Sequence, residues 1–263
     1  MPVHDDLGKR MKENYENISK THLMRRTPVA IRIDGKAFHT FTRGFNKPFD
    51  WILIQTMQET TKYLCENIQG CVFGYTQSDE ITLILVDYNK LETCAWFDYE
   101  VQKICSISAS MATMAFNKAF LKEVNEYLLN CAKGKNKDAR FADVYSKAVL
   151  KGAMFDARCF NIPKEEVTNL IYWRQLDATR NSIQMVGQAN FSHKELQGLN
   201  CNSIQDKLFK EKDINWNDFP IVAKRGTAVI KKETGWNIIQ DMPILKGENR
   251  SFVDTLVYVG ETN

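Results

Sequence analysis

Hydrophobic positions along the chain switch between helical and strand periodicity, and their order outlines a fold. Residues 5–26 predict one amphipathic helix or two short ones, ending at Arg25-Arg26 before Thr27-Pro28. The run VAIRID, residues 29–34, is β-branched and stops at Asp34-Gly35, which predicts a strand followed by a sharp turn. Asp50 stands where a helix N-cap belongs, and Leu53, Met57 and Leu64 after it share one helical face. Residues 71–75 and 81–86 read as two strands joined by the polar, acidic Thr76-Gln77-Ser78-Asp79-Glu80, the pattern of a hairpin. A long helix is predicted over 96–121, an exposed basic loop over 132–140 and a strand over 152–162. A second long helix covers 165–186, a strand 227–230, and a tail with residues 252–259 closes the chain.

Read as a string, residues 29–162 give β-α-β-β-α-β. That order predicts an α+β fold of the ferredoxin-like kind, an antiparallel sheet with both helices on one face. In it the first strand lies beside the hairpin, which brings the strand end at Asp34 toward the hairpin tip at Asp79.

Composition narrows the class without naming a function. Of 263 residues, 44% are hydrophobic and 25% charged, as in an ordinary folded protein with a sizeable core. The 35 basic and 32 acidic side chains leave a net charge of +3, so any polyanion site must come from local placement rather than overall balance. The polar N-terminus lacks the apolar segment of a signal peptide, and no apolar run reaches the roughly 18 residues of a spanning helix. Seven cysteines, an odd number with no C-x-x-C pair, read as reduced thiols of a cytoplasmic protein. They and the four histidines show no zinc-type spacing.

Asp34 and Asp79 each have an ordinary reading, as a turn residue and a solvated hairpin tip. Together at one sheet edge, beside a Gly35 backbone open to close approach, they offer hard oxygen ligands suited to two Mg²⁺ ions and phosphoryl transfer. Lys36 and His39 are candidate phosphate contacts, and Phe38 either packs beneath them or stacks on a base. Lys47 precedes a helix start. Lys103, Ser106 and Ser110 share a helix face that is either triphosphate-binding or simply solvated.

The combination of Asp34-Gly35-Lys36-Ala37-Phe38-His39, Lys47-Pro48-Phe49-Asp50 and Gln77-Ser78-Asp79-Glu80 resembles the motifs of the tRNA-His guanylyltransferase superfamily. Phe155-Asp156-Ala157-Arg158, Tyr172-Trp173-Arg174-Gln175 with Asp177, and Lys224-Arg225-Gly226-Thr227 extend the likeness over residues 5–232. The resemblance implies a polymerase-palm-like catalytic domain over 1–162, with a C-terminal extension over 163–263 for tRNA contact and assembly, the two forming one integrated unit. It also implies 3′→5′ nucleotide addition to the 5′ end of tRNA after activation with ATP, usually with GTP as the incoming nucleotide, in a cytoplasmic homotetramer. Carried over, Asp34 and Asp79 with the Gly35 carbonyl would ligate two Mg²⁺. Lys36, Ala37, Phe38, His39 and Ser78 would contact nucleotide, while Lys47, Asp50, Lys103 and Ser106 would position triphosphates. Glu80 would hold the hairpin.

Where eukaryotic members carry His-Ile-Asn-Asn, this chain reads Thr179-Arg180-Asn181-Ser182, a mark of the guanylyltransferase-like branch that repairs truncated tRNA 5′ ends. Phe49 and Glu100 also depart from the eukaryotic pattern, which has Asn and Arg there. Lys133, Lys135, Lys137, Lys224 and Arg225, with Lys231 and Lys232, are candidate tRNA-backbone contacts. Strict addition of one G to tRNA-His, a nucleotidyl cyclase or conventional palm polymerase, and a non-catalytic RNA-binding protein are the competing readings.

Overall fold

The computed structural model describes residues 6–134 and 139–259. Six antiparallel strands form one sheet in the order β4-β1-β3-β2-β5-β6. They are β1 (Val29–Gly35), β2 (Cys71–Gln77), β3 (Glu80–Leu85), β4 (Phe155–Asn161), β5 (Thr227–Lys232) and β6 (Gly235–Ile239). The helices are α1 (Asp6–Met11), α2 (Phe38–Phe41), α3 (Trp51–Asn67), α4 (Val101–Ala132), α5 (Ala142–Lys151), α6 (Lys164–Asn190), α7 (His193–Leu196), α8 (Cys201–Lys212), α9 (Ile221–Arg225) and α10 (Ser251–Val257). Among the described residues no helix is long and apolar enough to cross a membrane.

Side chains alternate across a strand, and the two faces of the sheet bury different helices. Val29, Ile31 and Ile33 of β1 and Ile81, Leu83 and Leu85 of β3 pack with Met57 and Leu64 of α3 and Ile104, Phe116 and Phe120 of α4. Ala30 and Ile84, on the other face, pack with Val167 and Ile171 of α6, and with Met242, Leu245 and Val253. The chain after residue 162 thus covers the second face of the sheet and extends it through β5, which pairs with β2. A smaller cluster joins Phe49 to Ile183 and Val186 of α6 and Ile204 and Leu208 of α8.

The strands and both long helices stand where the pattern predicts them, with several adjustments. The expected helix over 96–121 begins only at Val101, because Phe97, Asp98 and Tyr99 adopt left-handed φ of 51°, 50° and 56°. It then runs to Ala132, since no breaker occurs before Gly134. The strand expected from residue 152 starts at Phe155. Gly152, at φ 68°, instead ends the unanticipated α5. Strand β6 was also unanticipated. The N-terminal helix is α-helical only through Met11, then π over Lys12–Glu16 and 3₁₀ over Asn17–Ser19. Leu7, Met11, Tyr15 and Ile18 remain exposed, so its apolar residues are not covered by the described residues.

Candidate functional site

Strand β1 and the hairpin meet at their ends. Asp34 pairs across the sheet with Glu80, and the Gly35 N–H donates to the Asp79 carbonyl at 3.1 Å. The β2–β3 turn is made by Ser78 and Asp79 alone, with Ser78 at φ 52° and its hydroxyl 3.0 Å from Asp79 Oδ1. Two carboxylates separated by 45 residues of sequence therefore line one cavity of about 460 Å³. Gly35, Ala37, Phe38, His39, Lys47, Asp50 and Ser78 line it too, as do Thr42, Asn46 and Met185, which sequence reasoning missed.

Both acids are raised from their ordinary value. Burial is the main cause at Asp34, with the negative charges of Glu80 and Asp156 adding to it and Arg158 and Arg32 opposing. Burial also leads at Asp79, where the Ser78 hydroxyl and a backbone N–H oppose it while Asp34 and Glu80 raise the value further. Two partly desolvated carboxylates that repel one another are a donor set short of positive charge. Hard oxygens of this kind suit Mg²⁺. Among the described residues no group of three or more His, Cys, Asp or Glu gathers into a closed metal cage. A cation held by Asp34, Asp79 and the Gly35 carbonyl would therefore have to complete its shell with water and phosphate oxygens.

Glu80 faces away from this cavity into an ion network. Its Oε1 lies 2.6 Å from Arg174 Nε, and its Oε2 accepts from Arg174 and Arg32 at 2.8 and 2.7 Å. Arg174 continues to Asp177 at 2.8 Å, and Asp177 to Arg180 and Asn181. This buried relay ties the hairpin to β1 and α6, the holding role expected of Glu80. The parts played by Arg32 and Arg174 were not legible, because no local signal connects residues 142 positions apart in the chain.

Phe38 is buried, its ring 5.1 to 5.4 Å from those of Phe41, Phe116 and Phe155, so it packs from the core beneath the cavity that it lines. A Cβ on Gly35 would stand 2.2 Å from that ring, so the glycine makes room for Phe38 as much as for a ligand. Lys36 is exposed, its N–H held by the Met154 carbonyl at 2.8 Å, and it does not line the cavity. Lys103 pairs with Glu100 at 3.4 Å, and Ser106 and Ser110 donate to their own helix carbonyls, all on an exposed face of α4 outside the cavity.

Asp50 caps α3 through Leu53 N–H at 3.0 Å, and its other oxygen accepts from Asn46 N–H at 3.0 Å and the Tyr145 hydroxyl at 2.7 Å. With both oxygens engaged, it shapes the loop carrying Lys47 and does not itself grip an anionic triphosphate. Asp50→Ala is expected to lower stability by about 1–3 kcal/mol, measured by urea unfolding.

Among the basic residues, Lys224 is corrected most clearly. It is buried, donates to the Asn217 carbonyl and lies 5.3 Å from the Trp216 ring centre, which leaves it no reach to a phosphate. Arg225 is half-buried against the Met242 carbonyl, at 3.5 Å. Lys133, Lys231 and Lys232 are exposed, while Lys135 and Lys137 lie outside the described residues.

The family model described as Thg1, tRNAHis guanylyltransferase, matches residues 8–163. A bacterial tRNA(His) guanylyltransferase (Thg1)-like protein in complex with ATP superposes with a TM-score of 0.81 at 45% identity, over 96% of this chain and 99% of that one. Another bacterial Thg1-like protein structure, in complex with GTP, gives 0.72 at 38% identity over the same shares. The tRNA(His) guanylyltransferase of Saccharomyces cerevisiae is 26% identical over 78% of this chain and 82% of its own length. With the two carboxylates at the strand ends and the family model covering more than half of its length, the chain belongs to the tRNAHis guanylyltransferase family of nucleotidyltransferases.

Proposed function

We propose that the protein extends the 5′ end of tRNA in the 3′→5′ direction, as a template-dependent repair nucleotidyltransferase built on a polymerase-like palm. The observation that carries this reading is the convergence of Asp34 and Asp79 in a cavity that also holds Lys47 and His39. The β4-β1-β3-β2 portion of the sheet, with α3 and α4 on one face, is the part we assign to the palm.

In the first step an oxygen of the RNA 5′-monophosphate attacks the α-phosphorus of ATP, and pyrophosphate leaves. In the second, the 3′-hydroxyl of GTP or another NTP loses its proton and attacks the RNA 5′-phosphorus; the anhydride to AMP breaks and AMP leaves. Mg²⁺ at this site would neutralise phosphate charge and favour ionisation of the attacking hydroxyl. Asp34, Asp79 and the Gly35 carbonyl would hold that ion at the strand ends. Lys47 and His39, both exposed at the cavity rim, meet the triphosphate, and Ser78 fixes the Asp79 carboxylate.

Two observations favour repair over strict guanylylation of tRNA-His. The greater identity is to the bacterial Thg1-like proteins, at 45% and 38%, against 26% to the yeast enzyme. Thr179-Arg180-Asn181-Ser182 also replaces the eukaryotic run, and here Arg180 and Asn181 serve the Asp177 end of the ion network. We assign the uncovered Leu7, Met11, Tyr15 and Ile18 to contacts within a homotetramer.

The test incubates protein, Mg²⁺, ATP and NTPs with 5′-monophosphorylated tRNAs that lack their first nucleotide. Extension of both tRNA-His and a non-His tRNA by the template-matched nucleotide is the expected result. Extension of tRNA-His alone selects the strict enzyme, and no extension of either overturns the proposal.

A further inference from the structure

We infer that Trp173 is a stacking platform for the base at the 5′ end of the RNA, on the flank of Asp34 opposite the nucleotide cavity. The inference rests on the function proposed above and assigns the second reactant its place. Any joining of a nucleotide to an RNA end needs two phosphate-bearing molecules to meet at the same carboxylates. The cavity of about 460 Å³ lies to one side of Asp34, lined by the loop after β1 and by Ser78 and Met185. To the other side lies β4, an edge strand of the sheet, whose Asp156 and Arg158 are exposed.

On that side Arg158, half exposed, stands 3.9 Å from Asp34 and 3.2 Å from Asp156. Its guanidinium is held by two acids yet accessible, as suits a group that positions a 5′-phosphate beside Asp34. Arg32 pairs with Arg158 across β1 and β4 and shares its face of the sheet with Asp34, two residues and about 7 Å away. Over Arg32 sits Trp173, the guanidinium carbon 5.3 Å from the ring centre, and Arg174 approaches the same ring at 4.5 Å.

Arg32 and Arg174 both donate to the same oxygen of the buried Glu80, so both cations that approach the indole are anchored to one carboxylate in the interior. Trp173 itself is 51% exposed, although α6 buries its neighbours Arg174 and Gln175 to 5% and 2%. An indole held by two ion-paired guanidiniums, with about half of its residue's surface in water, is a π-surface of low entropic cost. Such surfaces bind unpaired nucleobases through stacking that tolerates any base identity. That tolerance is what a repair enzyme needs, because the terminal base differs from one truncated tRNA to the next. Leu176, also half exposed one helical turn on, continues the apolar shelf toward Arg180.

The test compares wild-type protein with Trp173→Phe, Trp173→Leu and Trp173→Ala. The RNA is the 5′-monophosphorylated truncated tRNA, in two forms, with a natural or an abasic 5′-terminal nucleotide. Filter binding gives the RNA Kd, and extension assays give KM for RNA and for GTP. Trp173→Leu and Trp173→Ala are expected to raise Kd and KM for the natural RNA about tenfold, with Trp173→Phe within threefold of wild type and the GTP KM unchanged in all. On the abasic RNA the wild type is expected to bind as weakly as Trp173→Leu. The inference is overturned if the abasic RNA binds the wild type normally, or if the leucine variant loses as much on abasic as on natural RNA. Trp173 is then only a cover for the Glu80 network. Should Trp173→Ala fail to fold, the leucine variant, which keeps that cover, and the abasic arm on wild type still decide. Wild type that binds RNA base-dependently but never extends it would sink the proposed reaction while leaving the platform standing.

Discussion

Asp79→Asn is expected to abolish nucleotide addition and, in the absence of divalent metal, to make the protein more heat-resistant. The two effects share one cause. Asp79 is desolvated and sits near Asp34 and Glu80, so its carboxyl is held above its ordinary value. A carboxyl raised in the native state binds its proton more tightly there than in the unfolded chain. Its contribution to stability is complete below the unfolded value near 3.8 and is lost as the pH rises through the elevated native value. At neutral pH the ionised side chain therefore strains the fold, and a neutral amide of the same shape relieves it. The activity loss should exceed 100-fold, since about 10–100-fold is what removing a mere outer-shell partner of a metal costs. Melting curves and extension assays check both halves. Adding Mg²⁺ should raise the melting temperature of the wild type more than that of the variant. An Asp79→Asn protein that melts lower than wild type without metal, or retains activity, contradicts this account.

Glu80→Gln should act through a different mechanism and chiefly on stability. Glu80 is 7% exposed and is the common partner of Arg32 and Arg174, so neutralising it removes the carboxylate that Arg32 pairs with and leaves Arg174 with Asp177 alone. Removing one member of a buried ion cluster costs about 3–5 kcal/mol. Urea unfolding should show that loss as a lower midpoint at unchanged slope. Because Glu80 directly follows Asp79 and pairs with Asp34 across the sheet, extension activity should fall as well, though less than in Asp79→Asn. A Glu80→Gln variant with wild-type stability would show that Asp177 alone satisfies Arg174.

The β-branched run ending in Asp34-Gly35 and the polar tip at Ser78-Asp79 mark a strand end and a turn by local propensity. The β-α-β-β-α-β order then forces the two to neighbouring positions, because β1 must lie against the hairpin. Asp50 was legible as a cap for the same local reason, and the cap is present. Phe38 was not legible in the same way, since a Phe beside a turn is compatible with either stacking or burial. Its burial depends on Phe116 and Phe155, which arrive from α4 and β4. Lys103 and Ser106 were correctly placed on one helix face, yet which way that face turns is fixed by the opposite, apolar face packing on the sheet.

What the sequence by itself determined is therefore the main strands and the long helices, their order, and the two carboxylates that the order brings together. Periodicity, capping and turn chemistry act over a few residues and can be read from a few residues. Only the tertiary structure decided which charges are buried and which are free. Lys224 turns inward to Asn217 and Trp216, Glu80 is shared between Arg32 and Arg174, and Trp173 is left facing water above them. The physical reason is that the free energy of a charged side chain is set by its desolvation and by partners within a few ångströms. Those partners come from strands and helices far apart in the chain, so no window of sequence contains them.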